Sequence, residues 1–450
     1  MTVETLLSAP ATSLASLDSQ LNELRSRLSG QLLTADSVGY DDARKTLYVT
    51  LDRYPLAIVR ATNARDVAAA VDFARSNAIP LAVRSGGHSI SHLSVIDDAL
   101  VVDLSGMKGV SIDPETRIAR VQPGATSGDL AGPAHAHGLA LTTGDTHSVG
   151  MGGLVTGGGI GFMARKYGLT IDSLLAAQVV TAAGEVVTAS EISHPDLFWA
   201  IRGGGGNVGI VTEFTFRLLP VGQILGGELM LPANREVLRG YLDYVTTAPD
   251  DLTTIANLWH APPFPYVPEA RVGEMVLSIY VCWTGSIAEG ERALAPLRAL
   301  AEPVADLVSP IPYPAIYDFT AFAAAPHAAS IRTMFADDLS DASLDAVLAA
   351  MQHSSSPSSI VQFRGLGGAM ARIAPDATED EKVHQAWTGS LWDTIRHDGQ
   401  GVYVNFLENE GADRVREAYP GATYERLGVI KRHYDPDNLF RLNQNVLPKA

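Results

Sequence analysis

A histidine set among glycines is the first chemical feature of the chain. His88 sits in the run Arg84-Ser85-Gly86-Gly87-His88-Ser89. A second glycine-dense stretch starts at Gly144, passes Asp145, Thr146, His147 and Ser148 to Val149-Gly150-Met151-Gly152-Gly153, and closes with Gly157-Gly158-Gly159-Ile160-Gly161. Glycine loses more backbone entropy on folding than any other residue. Such density is tolerated where the backbone takes positive φ or comes very close to another group. Exposed N–H groups in such loops cradle anions. The pattern points to a large phosphate-bearing cofactor laid along two loops, with His88 placed to react with it. Tight turns in a glycine-rich sheet would leave the same trace, and both readings stand at this point.

Other motifs weigh less. Gly204-Gly205-Gly206-Asn207-Val208-Gly209 has the G-x-G-x-x-G form, with Glu228 near the distance of a ribose-binding acid. A dinucleotide fingerprint needs a strand before it and a helix after it. Here a helical run, His194 to Ile201, precedes and the β-branched run Ile210-Val211-Thr212 follows, so the loop is not read as a nicotinamide site. His135 and His137 close a helix, where cationic side chains meet its negative end, and no third metal ligand is evident. No metal is expected. Ser89 and Ser148 have no assigned base as nucleophiles. The tail carries Tyr403-Val404-Asn405-Phe406, read as a strand, and Asn443-Gln444-Asn445. Buried Tyr and Asn need hydrogen-bond partners, so the tail is expected to return and close the cofactor site.

The elements around these residues are legible. Tyr54–Val59 and Leu81-Ala82-Val83 read as strands, with a helix from Asn63 between them. That strand–helix–strand unit delivers the first glycine loop. Further strands are expected at 101–104, 119–123, 139–141, 178–180, 185–187 and 210–216, and a helix over 127–137 closed by Gly138. Beyond Pro220 the character changes to alternating strands such as Met275–Val281 and helices over 288–301, 343–353 and 379–395. This reads as a second domain of antiparallel strands carrying helices.

The chain has 450 residues, 46% hydrophobic and 18% charged. That composition is globular with a large core, and the length favours two domains. A net charge of −17 argues against nucleic-acid or anionic-membrane partners. No apolar run reaches membrane-spanning length. Leu6, Leu14, Leu17, Leu21, Leu24 and Leu28 form a helical stripe without the basic and apolar regions of a signal peptide, so a cytoplasmic location is expected. Cys282 is the one cysteine, which excludes an intrachain disulfide and a thiolate cluster. The sequence is silent on oligomeric state.

Together, the S-G-G-H run, V-G-M-G-G-L with G-G-G-I-G, Gly206-Asn207-Val208-Gly209-Ile210-Val211-Thr212 and the tail through Tyr434-Asp435-Pro436-Asp437-Asn438-Leu439-Phe440 resemble the berberine-bridge-enzyme-like flavoprotein oxidases. These belong to the wider vanillyl-alcohol-oxidase (VAO) group. The resemblance runs from about Tyr54 to Val446. It implies an α+β, two-domain VAO/PCMH-type FAD-binding fold with an antiparallel-sheet substrate domain. Residues 1–221 and 401–450 would form the FAD domain and 222–400 the substrate domain. It implies FAD linked through its 8α-methyl to His88. The cofactor-binding residues it carries over are Arg84, Ser85, Gly86, Gly87, His88, Ser89, Gly144, Thr146, Val149, Gly150, Gly152, Gly153, Gly158, Gly161, Gly206, Asn207, Gly209, Ile210, Val211, Tyr403, Asn405 and Asn443. Many members attach the flavin a second time through a Cys where this chain has Thr146, and many have a His where it has Leu154. A single covalent bond is therefore expected, as in the 6-hydroxynicotine oxidases.

The reaction implied is oxidation of a small organic substrate by hydride transfer to flavin, with O₂ as acceptor. The substrate would be an alcohol, sugar, cyclic amine or natural-product intermediate. Tyr403 is the first choice of base and Asn405 would orient substrate or flavin; His147 and Asp145 are the next candidates. A tyrosine base needs a nearby cation or hydrogen-bond donors. Trp259, His260, Tyr266, Tyr313, Tyr317 and Trp392 are pocket candidates, though most such aromatics are core. A dehydrogenase using another acceptor, and a flavin-binding protein without turnover, remain open.

Overall fold

The computed structural model describes residues 14–354, 356–372, 395 and 398–449. Leu6 and Trp392 lie outside the described residues, as does the helix expected over 379–395 apart from Ile395. Leu14, Leu17, Leu21 and Leu24 of the leucine stripe lie on the helix Leu14–Arg27, with Leu21 and Leu24 buried, and Leu28 follows its end.

Asn63 starts the next helix as its sequence predicts. Its side chain accepts from Arg65 N at 2.9 Å and Asp66 N at 3.1 Å, two of the donors a helix start leaves unpaired. The helix Ala64–Ser76 buries Val67, Ala70, Val71 and Ala74. It covers a four-stranded sheet in the spatial order Gln31–Leu33, Ala57–Arg60, Leu100–Asp103, Leu81–Arg84. The two strands of the expected strand–helix–strand unit do not touch; Leu100–Asp103 lies between them and pairs in parallel with both. A second, five-stranded antiparallel sheet runs Val110–Asp113, Ile118–Val121, Ile210–Arg217, Leu174–Val180, Val186–Ser190.

The third sheet has six strands and is antiparallel throughout, with Gln223–Pro232, Met275–Trp283, Leu252–His260 and Val361–Arg364 as its main members. Strand side chains alternate between faces. One face places Leu229, Leu231, Leu277, Ile279, Ala256 and Leu258 against the helices Arg235–Thr247, Ile287–Arg298 and Asp341–Gln352. The register puts Glu228, Tyr280, Ser278, Asn257, Gln362 and Arg364 on the opposite face. That polar face turns toward the second glycine region, where Thr143 Oγ1 meets the Tyr317 hydroxyl at 2.6 Å and Arg364 pairs with Asp145. The overall fold is α+β.

Two expectations need correction. Met151–Thr156, read as loop, is a short helix inside the second glycine region. Val402–Phe406, read as a strand, is not one. Phe406 N donates to Tyr403 O at 2.9 Å and Leu407 N to Val404 O at 3.3 Å, closing a tight turn, and among the described residues no strand pairs with it. The turn instead bonds the Tyr403 hydroxyl to Gly159 N at 2.7 Å and the Asn405 amide to Leu154 O at 3.1 Å, tertiary contacts that outweigh the local β propensity.

The tail does return to the first half of the chain. Asn207 donates to Gln444 O at 3.0 Å and accepts from Val446 N at 2.8 Å. Lys431, on the helix Ala422–Tyr434, donates to Asn207 O at 3.0 Å.

Candidate active site

The two glycine stretches meet back to back. A Cβ on Gly86 would sit 2.4 Å from Gly150 N, and one on Gly150 would sit 2.3 Å from Gly86 N. Only glycine permits that approach. The contact holds the loops side by side along one wall of a cavity of about 1700 Å³. Small-molecule sites are usually roughly 300–1,000 Å³, so this cavity has room for a large cofactor and a substrate together.

Ser85, Gly86, Gly87, His88 and Ser89 line the cavity. So do Gly144, Asp145, Thr146, Val149, Gly150, Gly152 and Gly153 from the second stretch, and Gly206, Asn207, Gly209, Ile210 and Val211 from the third. Tyr403, Asn405 and Asn443 join them from the tail. Four candidates are placed elsewhere. Arg84 turns away, donating to Asp103 Oδ1 at 3.0 Å and Lys45 O at 3.2 Å. Gly158 and Gly161 lie behind the wall: Gly158, at φ 120°, packs on the Tyr403 ring, and a Cβ on Gly161 would meet Thr143 O. His147 is exposed and outside the lining, which removes it as a base.

Several side chains not singled out by sequence complete the wall. Tyr48 and His327 meet edge to face with ring centroids 5.2 Å apart. Burial pushes the Tyr48 phenol up to about 12, with Asp145 adding to it. Arg364 engages the Asp145 carboxylate, so Asp145 is an ion-pair partner and not a free base. The Arg364 guanidinium also lies 4.8 Å over the Phe406 ring. Trp259 and His260 line the cavity; Tyr266, Tyr313 and Tyr317 do not. Glu228 is buried on its strand and accepts from the Tyr266 hydroxyl at 2.7 Å, far from any ribose-binding role. These residues carried no motif; strand register brings Trp259, His260 and Arg364 here, and the bridge between Tyr48 and His327 brings that pair.

Tyr403 is tightly held. Its hydroxyl accepts from Gly159 N at 2.7 Å and from Asn405 Nδ2 at 2.9 Å. The second Asn405 amide hydrogen goes to Leu154 O at 3.1 Å. With these donors on the oxygen, the phenol's own hydrogen is left for a group in the cavity. Burial raises the phenol above its ordinary value, outweighing those donors and the Arg364 charge, which favour the phenolate.

His88 is half-buried in the wall, and desolvation there pushes its imidazole down to about 4. Burial is the main cause, opposed by Asp145 and reinforced by His147, His327 and Arg84. It is therefore neutral, with a lone pair available.

The residues fit a bound FAD. A Cβ on Gly153 would meet nothing within 4 Å, and one on Gly206 only Asn443 Nδ2 at 3.8 Å, so both leave open backbone facing the cavity. The Tyr419 hydroxyl and Asn443 Oδ1, on residues of the same wall, are buried with no partner among the described residues. Buried polar atoms are rarely left unpaired, so such atoms mark where a polar ligand belongs. Thr146 lines the cavity; Cys282 is buried in the third sheet and does not. Among the described residues no cluster of His, Cys, Asp or Glu could hold a metal ion, and no helix is long and apolar enough to cross a membrane.

The family described as FAD binding domain matches residues 55–190, and that described as berberine and berberine-like matches 402–447. (R)-6-hydroxynicotine oxidase of Paenarthrobacter nicotinovorans is 30% identical over 454 residues, spanning 94% of this chain and 98% of that protein. The uncharacterised FAD-linked oxidoreductase YvdP of Bacillus subtilis is also 30% identical, over 94% of this chain and 99% of its own. The crystal structure of 6-hydroxy-D-nicotine oxidase from Arthrobacter nicotinovorans superposes with a TM-score of 0.81 at 28% identity, covering 94% of this chain and 98% of that one. Glucooligosaccharide oxidase from Acremonium strictum, at 24% identity and a TM-score of 0.79 over 96% of this chain and 99% of that one, shares the fold. The chain belongs to the berberine-bridge-enzyme-like FAD-linked oxidoreductases of the vanillyl-alcohol-oxidase flavoprotein group.

Proposed function

We propose that the chain oxidises a small organic substrate, an alcohol, sugar, cyclic amine or natural-product intermediate, using FAD joined covalently to His88 alone, with O₂ as acceptor. Residues 1–221 and 401–450 hold the cofactor and 222–400 supply the substrate wall. The observation that carries this reading is one cavity containing both a neutral, half-buried His88 and the Tyr403–Asn405 pair. When bound, FAD supplies the hydride acceptor and the passage of electrons to O₂. The chain supplies position and protons. Oxidising an alcohol removes a hydride from carbon and a proton from oxygen; Tyr403 takes the proton, and Asn405 fixes the Tyr403 oxygen. Trp259 and Phe322, ring centroids 5.2 Å apart, offer an aromatic wall for the substrate.

Acid precipitation tests the attachment. The pellet is expected to stay yellow, with FAD on the peptide that contains His88 and none on that containing Cys282. A colourless pellet with free FAD in the supernatant would end the covalent reading. Anaerobic mixing with alcohols, sugars, cyclic amines and phenols is expected to bleach the flavin for one class; no bleaching by any would reduce the chain to a flavin carrier.

The cradle is testable separately. Gly153→Ala adds a methyl to a helical residue in open space. Alanine stabilises a helix by about 0.8–1.0 kcal/mol over glycine, so the apoprotein should melt no earlier. In a His88→Ala background, where FAD is exchangeable, its binding should weaken by about 1–3 kcal/mol, the range for overpacking a fitted site. Unchanged FAD binding would mean this helix face does not touch the cofactor.

A further inference from the structure

Ser148 lies behind His88. Its Oγ is 3.0 Å from His88 Nε2. His88 lines the cavity and Ser148 does not, so the hydroxyl backs the ring from the protein side. The Ser148 backbone is pinned on both flanks: Gly128 N donates to His147 O at 2.9 Å and Ser127 N to Val149 O at 2.9 Å. Among the described residues, His88 Nδ1 has no hydrogen-bond partner. Resting on the covalent reading above, we propose that Ser148 is a positioning residue for cofactor attachment, fixing the His88 tautomer so that Nδ1 is the nitrogen that bonds the flavin methyl carbon.

The chemistry needs this control. A neutral imidazole has one N–H and one lone pair. Bonding through Nδ1 requires its lone pair, which places the hydrogen on Nε2, where Ser148 accepts it. Once Nδ1 is bonded to carbon, Nε2 must give up that hydrogen for the ring to stay neutral. A serine hydroxyl both accepts and donates, so Ser148 then turns and donates to the bare Nε2. The same side chain serves both states without backbone movement. The atoms balance. A C–N bond replaces one methyl C–H and one imidazole N–H. The two electrons and two protons released reduce the cofactor's own oxidised ring system, then leave on dioxygen as hydrogen peroxide. The charged and titratable groups around His88 are Asp145, His147, His327 and Arg84. None is hydrogen-bonded to Nε2, so the tautomer is left to Ser148.

The experiment mixes apoprotein with FAD in air and follows covalent incorporation by in-gel flavin fluorescence, for wild type, Ser148→Ala, Ser148→Thr and His88→Ala. Flavin peptides are then isolated and the bonded nitrogen assigned by NMR. Non-covalent FAD binding at the first time point shows that each variant is folded. The expected result is Nδ1 attachment only in wild type and slower attachment in Ser148→Ala. The slowing should be roughly 2–10-fold, the worth of one hydrogen bond, with a mixture of Nδ1 and Nε2 linkages. Ser148→Thr, which keeps the hydroxyl, restores both rate and nitrogen. Attachment in Ser148→Ala at the wild-type rate and on Nδ1 alone overturns the role of Ser148 and leaves the His88 link standing. Nε2 linkage in wild type overturns it too. Wild type without covalent flavin, or His88→Ala with it, overturns the covalent reading itself.

Discussion

Replacing Tyr403 by Phe is expected to lower the rate of flavin reduction by an alcohol by about 10²–10⁴-fold, the usual worth of a general base. The change removes one oxygen. The ring keeps its edge-to-face contact with Phe406, centroids 5.0 Å apart, and His88 is untouched, so FAD attachment should persist. Gly159 N and Asn405 Nδ2 lose their acceptor, which costs about 1–3 kcal/mol if no water replaces it. The variant should therefore melt somewhat earlier. The pH profile gives the sharper test. Only the phenolate accepts a proton, and burial holds the phenol above 10.0. Below that value the phenolate fraction grows about tenfold per pH unit, so the wild-type reductive rate should climb through the alkaline range. The Phe variant should be flat there. Arg364 and Tyr419 are the charged and titratable groups near it. A variant that melts earlier yet reduces its flavin at the wild-type rate would move the base elsewhere. An alcohol is the required substrate, because a neutral amine that gives up only a hydride has no proton for Tyr403 to take.

Tyr403 also shows where sequence reasoning stopped. Its place in the tail was legible from motif order, but its local structure was not. Val402-Tyr403-Val404 has the β-branched and aromatic character of a strand, and among the described residues no strand pairs with it. The helix start at Asn63 was legible because capping is local chemistry: a side-chain oxygen two or three residues from the N–H it accepts. Arg364 was invisible for the opposite reason. It stands 219 residues from Asp145, and only the register of Val361–Arg364 on Leu252–His260 brings it there. Gly86 and Gly150 lie between these cases. Their glycine identity signalled a close approach, but the group approached is the other loop and not a phosphate. The glycines left open to the cavity, Gly153 and Gly206, carry no mark in the sequence that separates them from their neighbours.

Replacing Lys431 by Met is expected to cost about 3–5 kcal/mol of stability, the range for breaking a buried ion pair from one side. Lys431 and Asp435 both have fully buried side chains, with Nζ 3.2 Å from Asp435 Oδ2. The ammonium also donates to Asn207 O at 3.0 Å and Phe440 O at 2.7 Å. Asp435 in turn accepts from Leu439 N at 2.7 Å and Phe440 N at 2.9 Å. This knot joins the tail to the 204–209 loop, whose Gly206, Asn207 and Gly209 line the cavity. Methionine has the length but no donors, so two carbonyls and a carboxylate would be left without their cation. The loss should appear as a lower denaturant midpoint, and FAD loading should fall with it because the loop is released. Lys431→Met with Asp435→Asn should recover part of the loss, since the uncompensated charge is gone. The pH dependence has a definite sign. Burial pushes the Lys431 ammonium down from 10.5 to about 8, partly opposed by Asp435. Between those values the unfolded chain holds a proton that the folded chain has released, so this group makes stability rise with pH. Below about 8 it is charged in both states and its contribution is constant. The stability gap between wild type and Lys431→Met should therefore widen from pH 8 to 10. A gap that is small at pH 7 and unchanged at pH 10 would show that the tail is held by its apolar contacts, Phe440 and Val446 among them, and that the lysine is incidental.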